Sequence, residues 1–392
     1  MSMTIAFLPG DGVGPEVLGE ARRVLETAAR VFKLQFQITE GDIGGVAIAK
    51  HGAPLPPATA ELCRQSKAVL LGAVGDRKYD GLPASQKPER GLLDIRALLG
   101  NYANLRPVRV FDPLTDASTL RPETVRGVDL VFVRELLGGI YFGKPRSRDK
   151  ERAVDTEVYT ADEVRRVARI AFTLARKRRK RVTSVDKANV LETSILWRQT
   201  VEETARDFPD VALEHLYVDN CAMQLMLKPA HFDVILTNNM FGDILSDEAA
   251  VLAGSLGMLP SASIGGAVGL YEPVHGSAPD IAGTGQANPI GAIASAAMML
   301  EYSFQMSEAA QRVYDAIEKA LENGYRTRDI AAKLDPLPPS AALPLEGGEK
   351  PPPPPSRGRA AEGGRGSNAQ TLLDTRQMGE IICKYIETPD AA

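Results

Sequence analysis

A chain of 392 residues is long enough for two or more domains with substantial cores, and its 44% apolar and 24% charged content are those of an ordinary globular protein. A net charge of −4 supplies no field to draw nucleic acid or an acidic membrane. Three scattered cysteines (Cys63, Cys221 and Cys383) and four histidines show no metal-ligand spacing, which argues against a disulfide framework or structural zinc and fits a reducing, cytoplasmic compartment.

The chain opens on an apolar run, TIAFL (4–8), stopped by Pro9-Gly10, which reads as a strand and not as a signal peptide. A helix is predicted from about 15 to 31, with Pro15 at its first position. A helical PPATAELCRQS leads to the strand AVLLG (68–72). The strand DLVFVRE (129–135) precedes a glycine-rich aromatic stretch, GGIYFGKPR. A charged helix, ADEVRRVARIAFTLARKR, runs into RVTSVD. The cluster KRRKR (177–181) has the composition of a nucleic-acid patch, yet at a helix C-terminus its cations meet the negative end of the dipole. Then come a helix near 191–206, a strand VALEHLYVD (211–219), a helix near 221–228 and a strand FDVILT (232–237). IGAIASAAMML (290–300) is too short to span a bilayer and reads as a buried helix. A helix ends near Asn323, and an amphipathic helix, TRQMGEIICKYI (375–386), closes the pattern. Between them, residues 336–368 are dominated by proline and glycine with no aromatic, so they are predicted to be a disordered or polyproline-like surface insert. The alternation predicts an α/β protein with a largely parallel sheet and ligands at the strand ends.

FGDILSD (241–247) follows the strand FDVILT. On a helix, Asp243 and Asp247 lie one turn apart on one face, where like charges repel by roughly 0.2–0.5 kcal/mol. A solvated carboxylate pair is one reading. A hard cation, Mg²⁺ or Mn²⁺, held by oxygen ligands is the other. GDGVGPE (10–16) stands where a dinucleotide fingerprint would, but Gly10, Gly12 and Gly14 give GxGxG and fail the Rossmann spacing. EPVHGSAPDIAGTGQANP (272–289) offers His275, Asp280 and Asn288 among small residues that allow a ligand close to the backbone; a well-ordered turn would look the same.

The strings LPGDGVGPE, LLGAVGDRKYDGLP, GLLDIR, NLRPVR, VRELLGGIYFG, VDKANVLE, YVDNCAMQL, FGDILSD and EPVHGSAPDIAG occur in order along the chain. Over about residues 3–335, and again from about 371, they resemble the β-decarboxylating dehydrogenases of 2-hydroxy acids, the isopropylmalate and isocitrate dehydrogenase family. The insert at 336–368 departs from the family pattern, which has a short loop there.

The resemblance implies an isopropylmalate/isocitrate dehydrogenase-like α/β fold, not a Rossmann fold, with two α/β domains flanking a cleft. The first, discontinuous domain comprises 1–101 and 254–392. The second, 102–253, carries a hairpin arm at about 138–159 and makes a homodimer with shared active sites. The activity implied is NAD-dependent oxidation of 3-isopropylmalate at C2 followed by loss of CO₂, a step of leucine biosynthesis. D-malate, tartrate or homoisocitrate are the alternatives within the family, and a non-catalytic regulatory subunit is the alternative outside catalysis.

By the same resemblance, Arg96, Arg106 and Arg134 match the substrate arginines, suited to binding carboxylates in plane. Asp219, Asp243 and Asp247 match the metal carboxylates, Asp219 coming from the partner subunit and also facing substrate. Lys187, again from the partner, matches the general base, and Tyr141 the acid that protonates the enolate carbon. Leu92 and Leu93, with Val190 of the partner, imply an apolar wall for an isopropyl group, against which a buried third carboxylate would go unpaired. His275, Gly276, Ser277, Ala278 and Asn288 match the adenosine loop. Glu89 matches the acid near the nicotinamide. Asp280, followed by Ile281, would repel a 2′-phosphate and so favours NAD.

Overall fold

The computed structural model describes residues 3–331 and 370–388; the predicted insert at 336–368 lies outside them. In chain order the strands of the main sheet are β1 (Met3–Gly10), β2 (Phe36–Glu40), β3 (Ala68–Ala73), β4 (Ala103–Arg109) and β5 (Asp129–Glu135). The short pair β6 (Ser147–Arg148) and β7 (Ala153–Val154) forms a separate antiparallel ribbon. The main sheet resumes with β8 (Arg181–Asp186), β9 (Ala212–Tyr217), β10 (Val234–Thr237), β11 (Pro260–Ile264) and β12 (Gly269–Pro273). A last parallel pair, β13 (Tyr325–Arg326) with β14 (Thr371–Leu372), precedes the final helix.

One ten-stranded sheet runs through the molecule in the order β2-β1-β3-β12-β11-β4-β5-β10-β8-β9. Six of its nine pairings are parallel; the three antiparallel ones, β12–β11, β11–β4 and β4–β5, sit together at its centre. Five strands come from residues before 101 or after 254, and five from between. The two sets meet at β11–β4, whose register covers only Ala103, Asn104 and Leu105 of β4. Pro107, which has no N–H to donate, stands beyond that paired stretch. The inner parallel strands β3, AVLLGA, and β10, VILT, have every residue buried because both faces are covered, whereas the edge strands β2 and β9 are mixed and partly exposed.

Helices cover the sheet. The N-terminal set is α1 (Gly14–Phe32), α2 (Gly45–His51), α3 (Pro57–Gln65), α4 (Pro88–Leu99) and α5 (Pro122–Val125). The middle set is α6 (Ala161–Arg176), α7 (Glu192–Ala205), α8 (Val218–Leu227) and α9 (Asn239–Ala250). The last is α10 (Ile290–Tyr302), α11 (Ser307–Glu322) and α12 (Thr375–Glu387). In α1, Val17, Leu18, Ala21, Val24, Leu25 and Ala28 are buried at helical spacing, and that stripe packs against α10 and α12. The run expected to be a buried helix is α10, with every residue from Ile290 to Leu300 buried. A capping box at Thr160 and Glu163 starts α6, a feature worth about 1 kcal/mol. Among the described residues no helix is long and apolar enough to cross a membrane.

Three local expectations need correction. Helix α1 begins at Gly14, so Pro15 is its second residue. Strand β9 stops at Tyr217, and Val218 and Asp219 open α8 instead of ending the strand; the Asp219 carboxylate thus sits at the positive end of a helix. The basic cluster does more than face a dipole. Arg178 pairs with Asp129 and Asp233, and Arg179 donates to the Asp129 carbonyl, tying α6 to β5 and the approach to β10.

Candidate active site

The loop after β1 is shaped by close backbone approach. At Gly12 (φ +57°) a Cβ would lie 1.9 Å from the Ser277 carbonyl oxygen, and the next residue, Val13, donates its N–H to that oxygen at 2.8 Å. Asp11 between the glycines is buried and accepts from the N–H groups of Gly45, Val46 and Gly75. The Asp11 carboxylate therefore clamps β1, the start of α2 and the loop after β3, and the adjoining Val13 N–H ties the 277 loop to the same junction.

A cleft of about 570 Å³ opens beside this junction. Its walls include Glu89, Leu92, Leu93 and Arg96 of α4, Arg106 of β4, Arg134 of β5, Tyr141, Asn239 and Asp243 of α9, and Glu272, His275 and Gly276. The alternation of β4 explains one wall: Asn104 and Arg106 face the cleft side while Leu105 and Pro107 face the other.

The charges form one network. Arg96 Nη2 donates to Glu272 Oε1 at 2.8 Å, and Arg96 Nε is buried without a partner. Arg106 donates to Asn104 Oδ1 (2.8 Å), Ser246 Oγ (2.7 Å), Asp247 Oδ1 (3.1 Å) and Asp243 Oδ1 (3.4 Å). Arg134 donates to Asp243 and is gripped by Asn239, whose backbone and side-chain oxygens accept from its Nε. Tyr141 donates its hydroxyl to Asp243 Oδ2 at 3.0 Å.

These neighbours set the ionisation. Burial, reinforced by Arg106, lowers Arg134 to about 10 although Asp243 pulls it up, so it remains charged at neutral pH. Burial raises Asp243, but Arg134 and Arg106 outweigh it and hold the carboxyl below its ordinary range. Asp247, one turn on, goes the other way: burial raises it and the pull of Arg106 does not compensate. Burial and the charge of Asp243 raise the Tyr141 phenol, which stays protonated.

Three expected site residues lie together elsewhere. Lys187 Nζ donates to Asp219 Oδ1 at 2.5 Å, and Val190 is 67% exposed nearby in sequence; none of the three lines the cleft. Among the described residues no three His, Cys, Asp or Glu side chains cluster as a metal site. Asp243 and Asp247 do share a face, as their spacing predicted, but within this chain arginine is their counter-ion.

In the 272–289 loop, burial lowers the His275 imidazole, whose Nδ1 lies 2.9 Å from the Gly276 carbonyl and whose Nε2 is buried and unpartnered. Ala278 adopts a left-handed φ of +39°, a strained conformation of the kind that marks ligand loops. Asp280 is exposed and held bidentately by Arg77 at 3.0–3.1 Å, so its charge is partly offset. Asn288 Oδ1 accepts from Ile290 N–H at the start of α10 and its amide donates to Asp329, which commits both ends of the side chain within the chain.

Sequence reasoning missed Asn104, Asn239, Ser246 and Glu272. Asn104 opens NLRPVR, Ser246 lies in FGDILSD and Glu272 opens the EPVHG string, so these three lay inside motifs already singled out, whereas Asn239 stands two residues before FGDILSD. Their roles come from partners more than 100 residues away.

The model of the family described as isocitrate/isopropylmalate dehydrogenase matches residues 4–339. The chain belongs to that family. It is 58% identical over 330 residues to the 3-isopropylmalate dehydrogenase of Aquifex aeolicus, covering 83% of this chain and 91% of that protein. The 3-isopropylmalate dehydrogenase of Moorella thermoacetica is 59% identical over 330 residues, covering 83% and 92%. Among solved structures, the isocitrate dehydrogenase of Methylococcus capsulatus superimposes with a TM-score of 0.79 at 33% identity, over 98% of this chain and 99% of that one. Family membership is consistent with a nucleotide cofactor and a divalent metal. The residues present fit both. The unpartnered His275 Nε2 offers one hydrogen bond to a nucleotide base, and Asp243 and Asp247 are an oxygen donor set suited to a hard cation.

Proposed function

We propose that the chain catalyses NAD-dependent oxidative decarboxylation of (2R,3S)-3-isopropylmalate to 4-methyl-2-oxopentanoate and CO₂, in the cytoplasm, within leucine biosynthesis. The observation that carries this reading is the pairing, in one cleft, of Leu92 and Leu93 with Arg96, Arg106 and Arg134. An apolar wall faces three guanidiniums, which suits a dicarboxylate with an aliphatic substituent. The identities of 54–59% to curated 3-isopropylmalate dehydrogenases support the same substrate.

Arginines bind the two carboxylates in plane. In the unliganded chain Arg106 and Arg134 are already engaged by Asp243 and Asp247. Substrate carboxylates would compete with those aspartates for Arg106 and Arg134, a competition that a cation held by the aspartates would relieve. Mg²⁺ or Mn²⁺ held by Asp243, Asp247 and Asp219 of the partner subunit would supply Lewis acidity at the C2 oxygen. Lys187 of the partner subunit would accept the hydroxyl proton, and NAD, when bound, would supply the hydride acceptor. Tyr141, kept protonated beside Asp243, returns a proton to C3 after CO₂ leaves. Asp280 favours NAD over a cofactor with a 2′-phosphate, with Glu89 toward the nicotinamide and His275 to Ala278 along the adenosine.

We assign a homodimer to complete the site. Met223 and Leu227 of α8, Ile244 of α9 and Val251 just past its end are 40–61% exposed, which leaves an uncovered apolar edge along the two helices. A second copy seated there would bury them and bring Lys187, Val190 and Asp219 to the other cleft. The two halves of the sheet, 1–101 with 254–392 and 102–253, then act as domains that close on substrate, with 138–159 as the dimer arm.

The test is reduction of NAD with 3-isopropylmalate, isocitrate and D-malate in parallel, each with Mg²⁺ and with a chelator. Metal-dependent turnover highest on 3-isopropylmalate is expected. A higher kcat/KM on either other acid would overturn the reading of Leu92 and Leu93.

A further inference from the structure

A second cavity, of about 630 Å³, opens on the opposite face of the β4–β11 junction from the active-site cleft. Leu105, Pro107 and Ile264 form its floor. The outward stripe of α6, with Arg166, Ile170, Thr173, Leu174 and Lys177 at helical spacing, makes one wall. Met298, Glu301 and Tyr302 at the end of α10, with Tyr314 of α11, make the other. Its size falls in the range of about 300–1,000 Å³ typical of small-molecule sites, and its make-up is that of such a site, an apolar body with a few convergent polar groups.

Those polar groups are uncommitted. Among the described residues Lys177 Nζ makes no ion pair, and the hydroxyls of Tyr302 and Tyr314 have no hydrogen-bond partner. The arginines of the same wall are committed: Arg169 to Asp207, Arg178 to Asp129 and Asp233. Arg166 stacks 4.5 Å over the Tyr102 ring, which also lines the cavity. Glu301 is the one acid in the lining, and burial, opposed by Lys177, shifts it toward its neutral form. Donors thus outnumber acceptors around a floor of apolar and aromatic surface.

We propose that this rear cleft is a binding site for a small aromatic carboxylate, its ring over the apolar floor and against Tyr102, Tyr302 and Tyr314 of the walls, and its carboxylate at Lys177. The two walls belong to opposite halves of the sheet, so an occupant ties together the segments that flank the active-site cleft. The site does not rest on the reaction proposed above.

The probe is 2-naphthoate, titrated calorimetrically into the full-length protein, with uncharged 2-naphthamide as control. Saturable binding of one naphthoate per chain is expected, with the amide weaker. Thr173→Trp, a cavity-filling change at an exposed position of α6, should abolish binding. Lys177→Glu should weaken it about tenfold or more, the scale of one charge reversed beside a partly desolvated anion. Should Thr173→Trp fail to fold by circular dichroism, Lys177→Glu carries the test alone. Equal affinity for acid and amide, parental affinity in the folded variants, or no saturable binding would each overturn the proposal.

Discussion

Arg96 and Glu272 form an ion pair across 176 residues of chain, at 2.8 Å, with each side chain 9% exposed. The pair fastens α4 to the end of β12. Removing one partner leaves the other desolvated. Glu272→Ala should destabilise the protein by about 1.5–3 kcal/mol, the scale of a charged hydrogen bond lost at a buried site. Urea denaturation without ligands is the measurement; an unchanged midpoint would mean that cleft water replaces the carboxylate fully.

Asp243 and Asp247 respond oppositely to pH. The Asp243 carboxyl is held below its ordinary range, so its contribution to stability is present above the unfolded pKa and lost as pH falls through the lower folded one. The Asp247 carboxyl is raised, so its ionised form costs stability at neutral pH and the cost vanishes as pH falls through the folded pKa. At neutral pH and without divalent cations, Asp247→Asn should stabilise the chain and Asp243→Asn should destabilise it. Denaturation midpoints of the same sign for both variants would refute this assignment.

Tyr141→Phe removes one hydroxyl that donates to Asp243. With the phenol as proton donor, kcat should fall by about 10²–10⁴ while KM for the hydroxy acid changes little. A rise in KM at constant kcat would make Tyr141 a binding residue instead.

A shared site can be tested by complementation. Lys187→Ala and Asp243→Asn dimers should each be inactive. A mixed dimer regenerates one intact site from the two unmutated contributions. Random reassortment of equal amounts should therefore restore about a quarter of wild-type activity, by the symmetry of a two-fold dimer. No recovery after verified subunit exchange would place Lys187 and the cleft of the same chain in one site.

Arg77 offsets the charge of Asp280 through an exposed bidentate pair. Exposed pairs are worth about 0.2–1 kcal/mol. Arg77→Ala should sharpen the preference for NAD over NADP by roughly two- to fivefold, read as a ratio of kcat/KM values. A weakened preference would mean that Arg77 holds Asp280 where it faces the 2′-phosphate, and that freeing the carboxylate lets it swing away.

Residues whose meaning is local were legible from sequence. Asp243 and Asp247 fall on one helical face because of their four-residue spacing, and the apolar run at 290–300 became a buried helix because no polar residue interrupts it. The buried inner strands β3 and β10 showed themselves as continuous apolar runs. Chain order also placed Arg96, Arg106, Arg134 and Tyr141 in motifs, and the fold brings those four to one cleft.

Non-local pairing was decided only by the tertiary structure. Strands β11 and β12 are short and carry serine, proline and glycine, so nothing in their spacing announced the antiparallel centre of the sheet. Glu272 acquires its role from Arg96, Asn239 from Arg134 and Asp280 from Arg77, because an ion pair or hydrogen bond depends on distance in space and leaves no period along the chain. The rear cleft has the same origin: the outward face of α6 looks like a solvated helix in sequence, and becomes the wall of a cavity because α10 and α11 stand opposite it across the β4–β11 junction.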